Sequence, residues 1–279
     1  MRTTLLTMIA AVSLALPATA QTLDRIKETG QLNLGYRLDA KPMSYALETG
    51  EPAGYTPLVC VRVAQAITNH LKLDDLQVQF VPVDSTDRFE KVVNGEVDLH
   101  CGAATITMER RAMVDFSVPV FIDGTSLILR KDAGEQFSDL AGKKLGVRRA
   151  TTTENALVNS LTGAAVVAEV VRFADHEAGM AAMESGEIDA YFADQSILVG
   201  LYASSPERDQ FKMSTDILTV EKQGIVMARG DSELRDVVDK AVSQMYANGQ
   251  MQSILKEAIP SLTPGIALQA LYMVAPILD

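Results

Sequence analysis

Apolar and polar positions alternate through QLNLGYR (31–37) and LQVQFVPV (76–83), and this period of two predicts a strand at each. Between them, GYTPLVCVRVAQAITNHL (54–71) changes to helical spacing, with Leu58, Val61 and Ala64 expected on one face and Pro57 suited to a first helical turn. In STDRFEKVVNGEVDLHCG (85–102), Ser85 or Thr86 can cap a helix over Asp87 to Val93. Asn94-Gly95 ends that helix, and Val97 to Cys101 reads as another strand. Strand, helix and strand in this rhythm predict a largely parallel sheet covered by helices.

The rhythm returns about 90 residues later. KLGVRR (144–149) and VVAEVVRF (166–173) read as strands, with a helix opening at TTTENALVNSL (151–161) between them. DHEAGMAAMESGEIDAYFAD (175–194) reads as helix, glycine stop and strand. FEKVVNGEVDLHCG and MAAMESGEIDAYFA match in outline: a helix, then Gly-Glu, a β-branched residue and Asp, then a strand. In both, Glu and Asp are expected in the solvated turn. FSVPVFIDGTSLILRKD (116–132) and ILTVEKQGIVMARGD (217–231) read as extended crossovers, and two helices separated by Asn248-Gly249 follow. The expected organisation is an α/β chain in two lobes. Residues 21–121 and 225–279 form the first, residues 122–224 the second, and two connecting strands leave a cleft between them.

In open α/β sheets, ligands lie beyond the carboxyl ends of the strands. The first lobe offers Arg37, then Ser85 and Arg88, then the stretch Gly102 to Arg110. The second offers Thr151 and Thr152, then His176, then Asp194. Thr107 can cap a helix whose first turn carries Arg110. Backbone N–H groups from Ala103 to Thr105, the Thr105 hydroxyl and the Arg110 guanidinium can then converge on one carboxylate, which arginine grips with two parallel hydrogen bonds. Arg110 and Arg111 also read as a solvated helix face. TTTEN reads either as a capping run or as a second anion-attracting helix start. Asp194, beside apolar AYFA, fits an ammonium partner or a helix cap.

The chain opens MRTTLLTMIAAVSLALPATAQ, with a basic start, a short apolar core and a small-x-small site at Ala18-Thr19-Ala20. Residues 1–20 are therefore expected to be a cleaved export signal, which places the mature chain in the periplasm. The apolar tail PGIALQALYMVAPILD is short and interrupted by Pro276. A net charge of −11 argues against nucleic acid or anionic lipid as a partner. Cys60 and Cys101 are the two cysteines. In an oxidising compartment they can form a disulfide, or they can stay as buried thiols. No CxxC or HxxxH spacing points to a metal, and no cofactor motif is present.

Three segments together resemble the family 3 extracellular solute-binding proteins, the periplasmic amino-acid receptors of ABC importers. GAATITMERR is similar to the family's small-x-T-x-T-x-x-R clamp, ATTTE to its G-T-T-x-E, and DAYFADQ to its D-A-x-x-x-D. The resemblance covers about residues 22 to 262. It implies the type II periplasmic-binding fold, with Arg110, Thr105, Thr151 and Thr152 on an α-carboxylate and Asp194 on an α-ammonium. GYRLDAKPMSY, DSTDR and DHEAGM further resemble the glutamate/aspartate-binding branch, which carries over to Arg37, Ser85, Arg88 and His176. HCGAAT and Cys60 match that branch's cysteine pair. Ala103 and Ala104 depart from that branch, where Ser and Thr are usual, and Arg148-Arg149 and the apolar tail are unusual in it. The expected function is a monomeric receptor that closes around a free amino acid, glutamate or aspartate, and delivers it to the permease subunits of an ABC importer. The alternatives are a receptor for a neutral polar amino acid and a cyclohexadienyl dehydratase-like enzyme on the same fold. An enzyme would need a positioned acid or base, for which His176 and Glu154 are the candidates.

Overall fold

The computed structural model describes residues 22–260 and 262–277, so the export signal expected over residues 1–20 lies outside the described residues. The chain begins with α1 (Thr22–Thr29) and β1 (Gln31–Arg37). A small antiparallel sheet follows, made of β2 (Asp39–Ala40), β3 (Ser44–Ala46) and β4 (Pro52–Ala53). Next come α2 (Tyr55–Leu71), β5 (Gln77–Val83), α3 (Arg88–Val93), β6 (Leu99–His100), α4 (Met108–Arg111) and β7 (Val114–Phe116). β8 (Phe121–Asp123) leads to β9 (Thr125–Arg130), β10 (Lys144–Arg148), α5 (Thr152–Gly163) and β11 (Glu169–Phe173). Then α6 (His176–Ser185), β12 (Ala190–Asp194), α7 (Gln195–Ser204) and β13 (Phe211–Met213) complete the second lobe. β14 (Glu221–Gln223) and β15 (Val226–Ala228) return to the first, followed by α8 (Ser232–Ala247), α9 (Gln250–Ala258) and α10 (Ile266–Val274).

Each lobe is built on a five-stranded sheet, in the orders β5-β1-β6-β15-β7 and β11-β10-β12-β9-β13. In both, three parallel strands are followed by an antiparallel fourth and a fifth antiparallel to that. The lobes are joined through β8 and β14, which pair antiparallel with Phe121 opposite Gln223 and Asp123 opposite Glu221.

The repeated Gly-Glu-x-Asp motif has a structural cause different from the expected solvated turn. Asp98 Oδ2 accepts the Asn33 N–H at 2.8 Å, and Asp189 Oδ2 accepts the Lys144 N–H at the same distance. Each aspartate thus satisfies a backbone donor at the start of the middle parallel strand of its own sheet. Asp98 is buried and paired with Arg25 at 2.6 Å, so it does not lie in solvent.

α2 buries Tyr55, Val59, Cys60, Val63, Ala64 and Ile67. Val61, expected on that face, is instead exposed, because the buried stripe is rotated from the one read in sequence. Cys60 on this helix forms a disulfide with Cys101, just beyond β6, with 6.2 Å between the Cα atoms. Neither Ser85 nor Thr86 caps α3. The Asp84 side chain organises that turn by accepting the N–H groups of Thr86 and Asp87. Thr107 and Thr151 do act as caps, accepting the N–H groups of Arg110 and Glu154, both at 3.1 Å. The apolar tail folds as α10 and packs on β8, with Tyr272 against Tyr246. Among the described residues, no helix is long and apolar enough to cross a membrane.

Candidate functional site

The carboxyl ends of the central strands of both sheets meet across a small cavity, and four arginines reach it. Arg37 ends β1, Arg88 opens α3, Arg110 lies in α4 and Arg148 ends β10. The cavity measures about 20 Å³, room for roughly one water. A larger ligand therefore requires the walls to part.

On the first lobe, Arg37 is held to Asp39 Oδ1 through Nε at 3.0 Å and Nη2 at 2.5 Å. Arg88 is 1% exposed. Its Nη2 donates to the Ala150 carbonyl at 3.3 Å, while Nε and Nη1 find no partner among the described residues. Burial, then the charges of Arg37, Arg110 and Arg148, push its pKa well below the ordinary arginine value. Arg88 and Arg110 both lie over the Phe89 ring, at 4.6 and 5.0 Å from its centroid. Arg110 Nη1 also donates to the Thr105 carbonyl at 2.8 Å, which ties the clamp arginine to its own loop.

On the second lobe, Asp194 closes β12. Its Oδ1 accepts from the Thr153 hydroxyl at 3.1 Å and its Oδ2 from Gln223 Nε2 at 2.8 Å. Burial, then the neighbouring charges of Asp123 and Glu221, push its pKa up to about 8. His176 contacts the Tyr191 hydroxyl through Nδ1 at 2.9 Å, and burial pulls its pKa down to about 3, so the ring is neutral at ordinary pH. Ala150 precedes the α5 cap with φ 57°, a left-handed conformation that costs a non-glycine residue about 1 kcal/mol. Ala150 stands where the resembling motif carries Gly.

Nine of the residues expected at the site line the cavity: Arg37, Arg88, Ala103, Thr105, Arg110, Thr151, Thr152, His176 and Asp194. Ser85 and Gly102 do not. The Ser85 hydroxyl donates to the Arg149 carbonyl at 2.8 Å and accepts from Arg148 Nη1 at 2.5 Å. Gly102 is packed so closely that an added Cβ would lie 2.5 Å from the His100 ring and 3.0 Å from the Arg37 side chain. The hydroxyl of Thr151 is spent on the α5 cap and on the Arg148 carbonyl.

Sequence reasoning assigned no role to Arg148, Glu221 and Gln223, and read Asp39 only as a possible partner for an arginine. Arg148 binds Asp39 Oδ2 at 2.6 Å, so one first-lobe carboxylate is shared by arginines of both lobes. Arg148 ends a strand, and the rule that selected Arg37 also selects it. Glu221 lies on the linker strand β14. Its carboxylate accepts from the hydroxyls of Thr105 at 2.6 Å, Thr152 at 2.7 Å, Thr219 at 2.6 Å and Thr125 at 3.2 Å. A hydroxyl has one proton to donate. The Thr105 and Thr152 protons expected on a ligand carboxylate are therefore already committed to Glu221. Among the described residues, no cluster of His, Cys, Asp and Glu is arranged to hold a metal.

Comparison with known proteins agrees with this architecture. An L-glutamate/L-aspartate-binding protein of Pseudomonas aeruginosa is 34% identical over 254 residues, covering 89% of this chain and 84% of the relative. The solved structure of an ancestral arginine-binding protein bound to arginine superposes with a TM-score of 0.74 at 26% identity, covering 82% of this chain and 98% of that one. An ancestral amino acid-binding protein described as a precursor of cyclohexadienyl dehydratase also gives a TM-score of 0.74 at 26% identity, covering 85% of this chain and 98% of its own. Residues 32–260 match the bacterial extracellular solute-binding proteins, family 3, and the chain belongs to that family.

Proposed function

We propose that the chain is a periplasmic receptor that closes around free L-glutamate or L-aspartate and delivers it to the permease subunits of an ABC importer. In this reading, the export signal is removed, the mature chain is a monomer, and residues 21–121 with 225–279 close against residues 122–224. Arg110, with Thr105, Thr152 and the backbone at Ala103, takes the α-carboxylate. Asp194 takes the α-ammonium. Arg88 and Arg37 take the distal carboxylate, with Ser85 and His176 beside them.

The observation that carries the acidic reading is Arg88, a buried guanidinium with two nitrogen atoms unpartnered among the described residues. A buried charge without a partner is costly, and a distal carboxylate supplies charge-assisted hydrogen bonds. The charges nearest the cavity point the same way. Arg37, Arg88, Arg110 and Arg148 line it with one carboxylate, Asp194, an excess of positive charge that a ligand of net charge −1 reduces. Glutamate and aspartate carry that charge, glutamine is neutral, and arginine adds to the excess.

Two observations favour binding over catalysis. His176 is engaged by Tyr191, and the Glu154 carboxylate is engaged by the Ala150 N–H at 2.9 Å and by Arg172 at 2.5 Å. The two acid–base candidates thus already have structural partners.

Calorimetry with glutamate, aspartate, glutamine, histidine and arginine tests the reading, followed by a turnover assay on each ligand that binds. Glutamate or aspartate is expected to bind at least tenfold more tightly than glutamine, a difference of about 1.4 kcal/mol. Tighter binding of glutamine or of a cationic amino acid overturns the acidic assignment.

A further inference from the structure

Gln223 lies on β14 and is fully buried. Its carboxamide is split between two situations. Nε2 donates to Asp194 Oδ2 at 2.8 Å, whereas Oε1 is buried and finds no donor among the described residues. Each Asp194 oxygen already accepts one hydrogen bond, from Thr153 or Gln223, and an ionised carboxylate has about four lone-pair sites in all. An orphaned amide oxygen thus sits beside a carboxylate with acceptor capacity left over. Such an acceptor is costly to bury, and a donor arriving next to Asp194 removes that cost.

We infer that Gln223 determines specificity for the amine: its Oε1 accepts one N–H of the α-ammonium whose charge Asp194 balances. The inference rests on the amino-acid receptor reading and deepens it. An ammonium carries three donors and cannot spend all of them on one carboxylate at good angles. The Nε2 bond holds the amide against Asp194, which lines the cavity. The Gln223 carbonyl accepts the Val120 N–H at 2.8 Å, which anchors the same residue to the linker between the lobes. A ligand lacking the amine leaves Oε1 unsatisfied and Asp194 without a counter-charge.

The test compares L-glutamate with glutarate, the same diacid without the amine, and L-aspartate with succinate as a second pair. Direct calorimetry serves the amino acids, and competition serves the weaker diacids. Gln223→Met keeps the length and removes the amide. It is expected to weaken the amino acid by about tenfold or more while changing the diacid by less than about twofold. Gln223→Glu keeps an acceptor, can share a proton with Asp194, and is expected to retain most of the preference for the amine. A Gln223→Met protein that loses both ligands equally overturns the inference, because a structural role alone produces that result. Unchanged discrimination in Gln223→Met overturns it as well. If the unmodified protein binds neither amino acid, the glutamate/aspartate reading falls and takes the inference with it. If it binds them and only discrimination is unaffected, the receptor reading stands.

Discussion

Arg110 and Arg111 are neighbours in sequence and opposites in environment. Arg110 is 9% exposed, bonds the Thr105 carbonyl and lies over Phe89, whereas Arg111 is solvent-exposed. Arg110→Ala is expected to weaken glutamate binding by about 2–5 kcal/mol, because it strands a buried carboxylate. Arg111→Ala should change it by less than about 0.5 kcal/mol. Equal losses in calorimetry would refute the choice of clamp. Asp194 gives a second test. Its pKa is raised above the ordinary carboxylate value, to about 8, mainly by burial. Its stabilising contribution to the free protein is therefore full below about pH 4 and is lost as pH rises through about 8. An ammonium ligand favours the ionised form, so binding should release a proton and tighten as pH rises across that window. Titrations in buffers of different ionisation enthalpy read the proton directly, and Asp194→Asn should abolish the release. At this scale the strand-end rule located Arg37, Arg88, Arg110, Thr152, His176 and Asp194, since a strand's end dictates which residues reach a cleft. Glu221 and Gln223 eluded it because a linker strand carries no such signature. Their positions depend on how β14 pairs with β8, a contact about 100 residues apart in sequence.

Among the elements, the two strand–helix–strand units show why repetition was legible and its cause was not. Glycine stops and period-two runs are local, so α3 and α6 and the strands after them could be placed from sequence. The Asp98 contact reaches 65 residues back to Asn33, and local patterning says nothing about it. Asp98 is buried, holds Arg25 and satisfies a strand N–H. Asp98→Ala should therefore destabilise the protein by about 1–3 kcal/mol, measured by urea unfolding. The equivalent Asp189→Ala should cost less, since Asp189 is only half-buried. A larger loss at Asp189 would show that the two motifs do not act alike. The small sheet β2-β3-β4 and helix α7 also escaped the pattern: the former has strands of two or three residues, and the latter carries no strong polar–apolar alternation around its axis.

Across the whole molecule, the lobes meet through charged and hydroxylic groups as well as apolar ones. Arg148 joins Asp39 and Ser85 from the opposite wall, Arg88 reaches the Ala150 carbonyl, and Thr105 lies 3.2 Å from Thr152. Arg148→Ala leaves Asp39 with Arg37 alone and removes a buried interlobe contact, a loss of about 1–3 kcal/mol because Asp39 keeps a charged partner. The ligand-free variant should be more open, with a larger radius of gyration by small-angle scattering and weaker ligand binding. Asp39→Ala should also open the protein, and the double substitution should cost less than the sum of the two, because both remove the Arg148–Asp39 contact. A variant with an unchanged radius and affinity would show that Arg148 does not hold the lobes together. The Glu221 carboxylate has a consequence for how such a receptor responds to supply. It already occupies the two threonine hydroxyls that the proposed binding mode assigns to the ligand carboxylate. Capture is then an exchange of one carboxylate for another, and the resident one is tethered to the chain. A tethered rival has a fixed effective concentration that dilution does not lower. On that binding mode the internal glutamate raises the apparent Kd for the ligand by a fixed factor, so the protein stays self-capped at concentrations that an uncapped site would already capture.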